Sequence, residues 1–135
     1  MKYGFIGCGN MGGAIARALS KTTTDILLSD PYAAESLAQK LGCRFGDNEQ
    51  AVSCCQRLFL AVKPQILRSA IAPIADLLCK KKPVIITMAA GVKISAIEEM
   101  IGVKLPIIRI MPNTPVSVGC GTIHTVPMNW LTSLP

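Results

Sequence analysis

Three glycines spaced G-x-G-x-x-G, in Gly7-Cys8-Gly9-Asn10-Met11-Gly12, offer the chemistry of a phosphate cradle. Lys2 to Ile6 before them is β-prone, and Gly13 to Leu19 after them is small and helix-compatible. In that setting Gly7 permits the tight turn, Gly9 lets backbone approach a pyrophosphate, and Gly12 lets the helix pack closely on the strand. The helix aims its unpaired N–H groups and the positive end of its dipole at the anion. Glycine-rich turns are common, so the spacing alone is not specific. Strand before and helix after supply the context that a dinucleotide requires.

Asp30 stands 18 positions after Gly12, near the interval of about 20 at which an acid takes the ribose hydroxyls of a dinucleotide. Asp30-Pro31 ahead of Tyr32-Ala33-Ala34-Glu35 is equally a helix start with Asp30 as its cap, and one residue can do both jobs. No arginine follows Asp30 directly. A 2′-phosphate there meets an acid and no nearby guanidinium, which favours NADH over NADPH.

Other reactive side chains read as structural. Cys8 has no histidine beside it, so it is expected as a small residue facing the turn rather than a nucleophile. His124, the only histidine, falls in Thr122–Val126, an expected edge strand, and is taken as solvated or satisfied rather than a general acid. Lys63 is expected to steady polar or anionic ligand groups, or to end a strand, rather than to form a Schiff base. No catalytic residue and no metal site is assigned.

The elements that must position these residues alternate along the chain. Asp25–Ser29 is a second strand stopped at Asp30-Pro31, followed by a helix from about Ala33 to Leu41 closed by Gly42. Cys43–Phe45 is a short strand, and Asp47-Asn48-Glu49-Gln50 opens a short helix ending near Cys54. Arg57–Val62 is almost wholly apolar, as a strand buried on both faces should be, and Lys63-Pro64 ends it. Gln65 to Leu78 shows helical spacing interrupted by Pro73, predicting a kink or two shorter helices. Val84–Thr87 is the next strand and closes in Met88-Ala89-Ala90-Gly91, small residues suited to a flat ligand. Ile94–Met100 is a helix, Leu105–Met111 a strand, and Pro112-Asn113-Thr114-Pro115 a turn. This alternation predicts an α/β fold, a doubly wound parallel sheet of Rossmann type. Ligands of such sheets lie beyond the carboxyl ends of the strands. That rule gathers Gly7–Gly12, Asp30, Ala61–Pro64, Met88–Gly91 and Pro112-Asn113 on one rim.

Composition bounds the function classes. The 135 residues are half hydrophobic and 16% charged, which suits one domain with a covered parallel sheet. No apolar run reaches the length of about 18 residues needed to span a bilayer, and no secretory signal is read at the N-terminus. The net charge of +6 has one run, Lys80-Lys81-Lys82, expected as a solvated loop. Basic stripes interleaved with aromatics are missing, so no nucleic acid is expected as a partner. The six cysteines, Cys8, Cys43, Cys54, Cys55, Cys79 and Cys120, lack metal or disulfide spacing and are expected as thiols in a reducing cytoplasm.

Four stretches in order give the chain a resemblance to pyrroline-5-carboxylate reductases: Gly4–Gly12, Phe59–Gln65, Met88–Val92 and Arg109–Pro115. The family reduces 1-pyrroline-5-carboxylate to L-proline with NADPH or NADH, in proline biosynthesis. The resemblance implies that Ile6, Gly7, Cys8, Gly9, Asn10, Met11 and Gly12 hold the pyrophosphate. Asp30 falls at the adenine-side ribose, and Asn48 matches an asparagine contacting the same end. Ala61, Val62, Lys63 and Pro64 resemble the A-V-K-P stretch under the cofactor. Met88, Ala89 and Ala90 match residues beside the nicotinamide half, with Asn113 nearby. Many members carry a small polar residue in place of Asp30, and this departure again favours NADH.

Members are about twice this length. Their second, helical half dimerises and builds the imino-acid site, so the full-length form is expected to be a homo-oligomer. Here residues 1–125 are expected to be the dinucleotide-binding domain and 126–135 a tail or the start of a missing second domain. The isolated chain is therefore expected to be inactive. The alternatives are a related hydroxyacid dehydrogenase or deazaflavin-dependent NADP reductase domain, and a non-catalytic nucleotide-sensing module.

Overall fold

In the computed structural model, which describes residues 2–88 and 91–110, six strands make one parallel sheet. They are β1 (Tyr3–Ile6), β2 (Ile26–Ser29), β3 (Arg44–Phe45), β4 (Arg57–Leu60), β5 (Val84–Thr87) and β6 (Ile107–Arg109). The spatial order is β3-β2-β1-β4-β5-β6. The chain works outward from β1 to β3, then returns to lay β4 on the other side of β1. The switch point of this doubly wound sheet is therefore the β1–β4 gap. Register is in step across the centre, with Ile6 opposite both Ser29 and Leu60, and Leu60 opposite Thr87. The carboxyl ends of four strands consequently finish on one line.

Among the described residues six α-helices cover the two faces: α1 (Asn10–Ser20), α2 (Ala34–Leu41), α3 (Asn48–Cys54), α4 (Pro64–Ile71), α5 (Ala75–Lys81) and α6 (Ile94–Ile101). Side-chain alternation along the strands divides the interior. Tyr3, Phe5, Leu28, Phe59 and Ile86 pack with Ile15, Leu19 and Leu37 on one face. Ile6, Leu58, Leu60 and Ile85 pack with Val52, Leu67, Ile71, Leu78 and Ile97 on the other. Phe5 stacks on Phe59 with ring centroids 4.4 Å apart, across the β1–β4 pair. Burying each ring stabilises the fold by about 2–3 kcal/mol over leaving it exposed.

The elements match the expected ones with shorter strands, but the lysine run expected as a loop does not: Lys80 and Lys81 form the last turn of α5 and Lys82 its C-cap, their charges complementing the negative end of the helix dipole. β4 ends at Leu60 rather than Val62, because its neighbour β1 ends at Ile6 and the last bond, Ala61 N–H to Ile6 C=O, closes at 2.8 Å. β6 runs Ile107–Arg109 rather than Leu105–Met111. At Pro73 the expected break appears as a 3-10 turn, Ala72–Ile74, separating α4 from α5. Asp47 caps α3, its side chain accepting from the Gln50 N–H while the Gln50 side chain accepts from the Asp47 N–H. The expected turn at 112–115, the edge strand at 122–126 with His124, and the boundary at 125 lie outside the described residues.

Among the described residues no helix is long and apolar enough to cross a membrane. The five cysteines among them form no disulfide, and no cluster of His, Cys, Asp or Glu there could hold a metal ion.

Candidate functional site

The glycine motif begins where β1 stops. Gly7 takes φ +98°, and a Cβ on it would lie 2.8 Å from the Ala61 carbonyl carbon, so both the turn and the close approach of β4 demand glycine. Gly12 already lies within α1, and a Cβ there would collide with the Gly7 carbonyl oxygen and come within 2.8 Å of the Ala61 Cβ. The helix is thus seated on the β1–β4 rim with no room for a side chain. Space above Gly9 is open, with nothing within 4 Å of where its Cβ would be.

α1 starts at Asn10 after Gly9, with no side-chain cap and no acid in its first turn. Gly13 is the first residue to donate within this turn, to the Gly9 carbonyl at 2.7 Å. The preceding N–H groups and the positive dipole end therefore face the open space above Gly9. This is the donor set that a pyrophosphate needs. Gly9, Asn10 and Met11 are exposed, while Ile6, Gly7, Cys8 and Gly12 are buried behind them.

Asp30 sits one residue past β2, half-buried. Its Oδ2 accepts from the Cys8 N–H at 2.9 Å, and its Oδ1 accepts from Tyr32 N–H at 2.8 Å and Ala33 N–H at 2.9 Å. The expected cap is corrected: α2 has Ala33 as its N-cap with no side-chain bond, and Asp30 instead holds the turn that leads into the helix. Through Cys8 it also ties down the glycine loop. Burial alone pushes this carboxyl up. The donors from Cys8, Tyr32 and Ala33 outweigh it and hold the group below the usual carboxylate value, so it is ionised at neutral pH.

The Cys8 thiol is pushed up to about 12, first by burial and then by the negative charge of Asp30 and by Cys43. It stays protonated and has no nucleophilic character at neutral pH.

Ala61 and Val62 are half-buried beside Gly7, and Lys63 and Pro64 are exposed at the start of α4, with Pro64 in its first turn. Met88, half-buried, follows β5 on the same line of strand ends. Ala89, Ala90 and Asn113 lie outside the described residues. The structure therefore brings Gly7–Gly12, Asp30, Ala61–Pro64 and Met88 to one rim. Asn48 joins them through Ser29, whose hydroxyl donates to Asn48 Oδ1.

Next to that rim, on the β2–β3 side, a cleft of about 700 Å³ opens between the ends of β2 and β3 and the turn at Pro73. Its walls include Pro31, Phe45, Pro73 and Ile74, with Ser29, Asp30, Asp47, Asn48 and Glu49 supplying polar groups. The cleft flanks the glycine loop rather than lying over it, a position that suits the far half of a ligand whose phosphates sit on α1. Ser29, Phe45, Asp47 and Glu49 were not expected from the sequence as site residues. Ser29 and Phe45 reach the cleft because β3 ends one residue short of β2, with Leu28 opposite Phe45.

The family model for NADP oxidoreductase coenzyme F420-dependent matches residues 2–91. Pyrroline-5-carboxylate reductase 3 of Macaca fascicularis is 30% identical over 128 residues, covering 90% of this chain and 46% of that protein. The structure of a pyrroline-5-carboxylate reductase from Coxiella burnetii superposes with a TM-score of 0.82 at 32% identity, covering 89% of this chain and 47% of that one. The Plasmodium falciparum pyrroline carboxylate reductase, solved with NADP bound, superposes with a TM-score of 0.74 at 26% identity, over 98% of this chain and 52% of that one. The chain spans about half the length of the relatives it matches.

Proposed function

Because the chain belongs to the family NADP oxidoreductase coenzyme F420-dependent, we propose that it is the nicotinamide-cofactor domain of a reductase converting 1-pyrroline-5-carboxylate to L-proline. The observation that carries the substrate is the reach of the likeness. Relatives named pyrroline-5-carboxylate reductase match about nine-tenths of the chain, well past residue 91 where the family model stops.

The residues fit the cofactor. The uncapped first turn of α1 and the open space above Gly9 receive the pyrophosphate, with Ile6 to Gly12 as its cradle. Asp30 and Asn48 take the adenosine half, Ala61–Pro64 lie under the cofactor, and Met88, Ala89 and Ala90 stand beside the nicotinamide half with Asn113 nearby. When bound, the nicotinamide supplies the hydride that reduces the C=N carbon of the imino acid. This chain's share is to bind and orient. The dinucleotide-binding domain runs through residue 125, and a second half beyond it builds the imino-acid site in a homo-oligomer.

NADH is the preferred cofactor in this reading. Asp30, Asp47 and Glu49 line the cleft beside the rim, and no Lys or Arg is among the described residues lining it. A 2′-phosphate is repelled there, whereas ribose hydroxyls find acceptors.

The test is titration of the chain with NADH and NADPH, followed by cofactor fluorescence or calorimetry. Binding of NADH ahead of NADPH is expected, with little or no proline formed from 1-pyrroline-5-carboxylate. Absence of binding to either cofactor would sink the cofactor assignment, and steady proline formation would sink the claim that a second half is needed. A deazaflavin-dependent NADP reductase domain is the second reading, favoured by the family model's own description; reduction of a deazaflavin by NADPH would establish it.

A further inference from the structure

Ser29 is the last residue of β2 and only 4% exposed. Its backbone is fixed twice over, by register with Ile6 and by its carbonyl accepting from the Gly7 N–H at 2.8 Å. A hydroxyl on such a strand end is held as rigidly as the sheet. It donates to Oδ1 of Asn48, the first residue of α3, across 19 positions of sequence.

In this structure the Asn48 amide meets that hydroxyl with its oxygen end. A primary amide has an acceptor end and a donor end of nearly the same shape, and only its hydrogen-bond partners distinguish them. With Oδ1 occupied by Ser29, the Nδ2 group is turned outward, and no described residue accepts from it. Asn48 is half-buried and lines the same cleft as Ser29, Asp30 and Phe45. The other polar side chains of that cleft are a serine already donating and three carboxylates, which accept. Nδ2 is therefore the side-chain donor available there for a ring nitrogen or ribose oxygen.

We propose that Ser29 is a positioning residue for the adenosine half of the cofactor: it orients the Asn48 amide so that its N–H groups read an acceptor in the cleft. The inference rests on the dinucleotide reading above and adds to it a residue that never touches the ligand's reactive end.

Half-cofactors separate the possibilities. The chain and its variants are titrated with 5′-AMP, with reduced nicotinamide mononucleotide and with NADH, and folding is checked by circular dichroism and melting. Ser29→Ala is expected to weaken AMP and NADH about five- to tenfold, the loss of one oriented hydrogen bond, and to leave the nicotinamide mononucleotide unchanged. Asn48→Ala should lose the same amount, and the double variant no more than Asn48→Ala alone, because Ser29 acts through Asn48. AMP bound by Ser29→Ala as tightly as by the wild type overturns the inference, and so does equal weakening of both half-cofactors or an additive double variant. Where Ser29→Ala fails to fold, Asn48→Asp decides. It keeps an acceptor for Ser29 but offers the cleft no N–H, so retained AMP affinity overturns the inference. Failure of the wild-type chain to bind either AMP or NADH overturns the dinucleotide reading and this inference with it.

Discussion

Asp30 Oδ2 accepts a hydrogen bond from the Cys8 N–H at 2.9 Å, joining the end of β2 to the middle of the glycine loop. The same carboxylate anchors the entrance to α2 through Tyr32 and Ala33. Its charge therefore has two consequences, one for the cofactor and one for the loop.

For the cofactor, in the NADH reading proposed above, Asp30→Ser removes the negative charge that would meet a 2′-phosphate. The ratio of NADPH to NADH affinity is expected to rise about tenfold, read by parallel titrations. An unchanged ratio refutes the charge argument.

For the loop, the sign of the pH dependence is fixed. The folded carboxyl titrates below its unfolded value, so the folded state binds fewer protons and Asp30 stabilises the fold above about pH 4. That contribution is lost as pH falls through the folded value. Asp30→Asn should be about 1 kcal/mol less stable than wild type at pH 7, with the difference closing toward pH 2 in urea melts.

Gly9 and Gly12 should separate binding from folding. Gly12→Ala forces a methyl against the Gly7 carbonyl and Ala61, so a loss of about 2–3 kcal/mol is expected in denaturant melts. Gly9→Ala meets no protein atom and should melt like wild type. If the proposed cradle is right, it should nevertheless bind NADH at least about tenfold more weakly, because its methyl would occupy the pyrophosphate's approach.

Burial pushes the Cys55 thiol, like that of Cys8, up to about 12, while Cys54 is exposed. Iodoacetamide at pH 8 should label Cys54 in the folded chain and spare Cys8 and Cys55 until denaturant is added, as peptide mass spectrometry would show.

Lys82 closes α5 with φ +49°, a left-handed conformation that costs a residue bearing a Cβ. Lys82→Gly should stabilise the chain by about 0.5–1 kcal/mol in the same melts.

Local pattern was enough to place the glycine turn, the apolar centre of β4 and the break at Pro73. Each depends on residues within one turn or strand. Asp30 was legible as an acid at a strand end, since proline follows it. Its bond to Cys8 was not, because 22 positions separate them and only the pairing of β1 with β2 brings them together. Ser29 read simply as the end of a strand for the same reason. Strand ends were overestimated at β4 and β6 because apolar character outlasts the ladder: Ala61 and Val62 are shielded by Gly7 and Gly12 without being paired as strand.

The seating of β1 between β2 and β4 also governs when the site can exist. Tyr3, near the start of the chain, must find Arg57 on its far side after β2, α2, β3 and α3 have been made. This is a long loop closure with its entropy cost, and pairings of that kind form late and slowly. Until it happens Gly7 has no Ala61 to lean on, and Gly12 has no wall against which to seat α1. On a ribosome, the phosphate cradle encoded in the first dozen residues cannot assemble until β4 has emerged. A partly synthesised chain therefore carries the motif without the capacity to capture coenzyme.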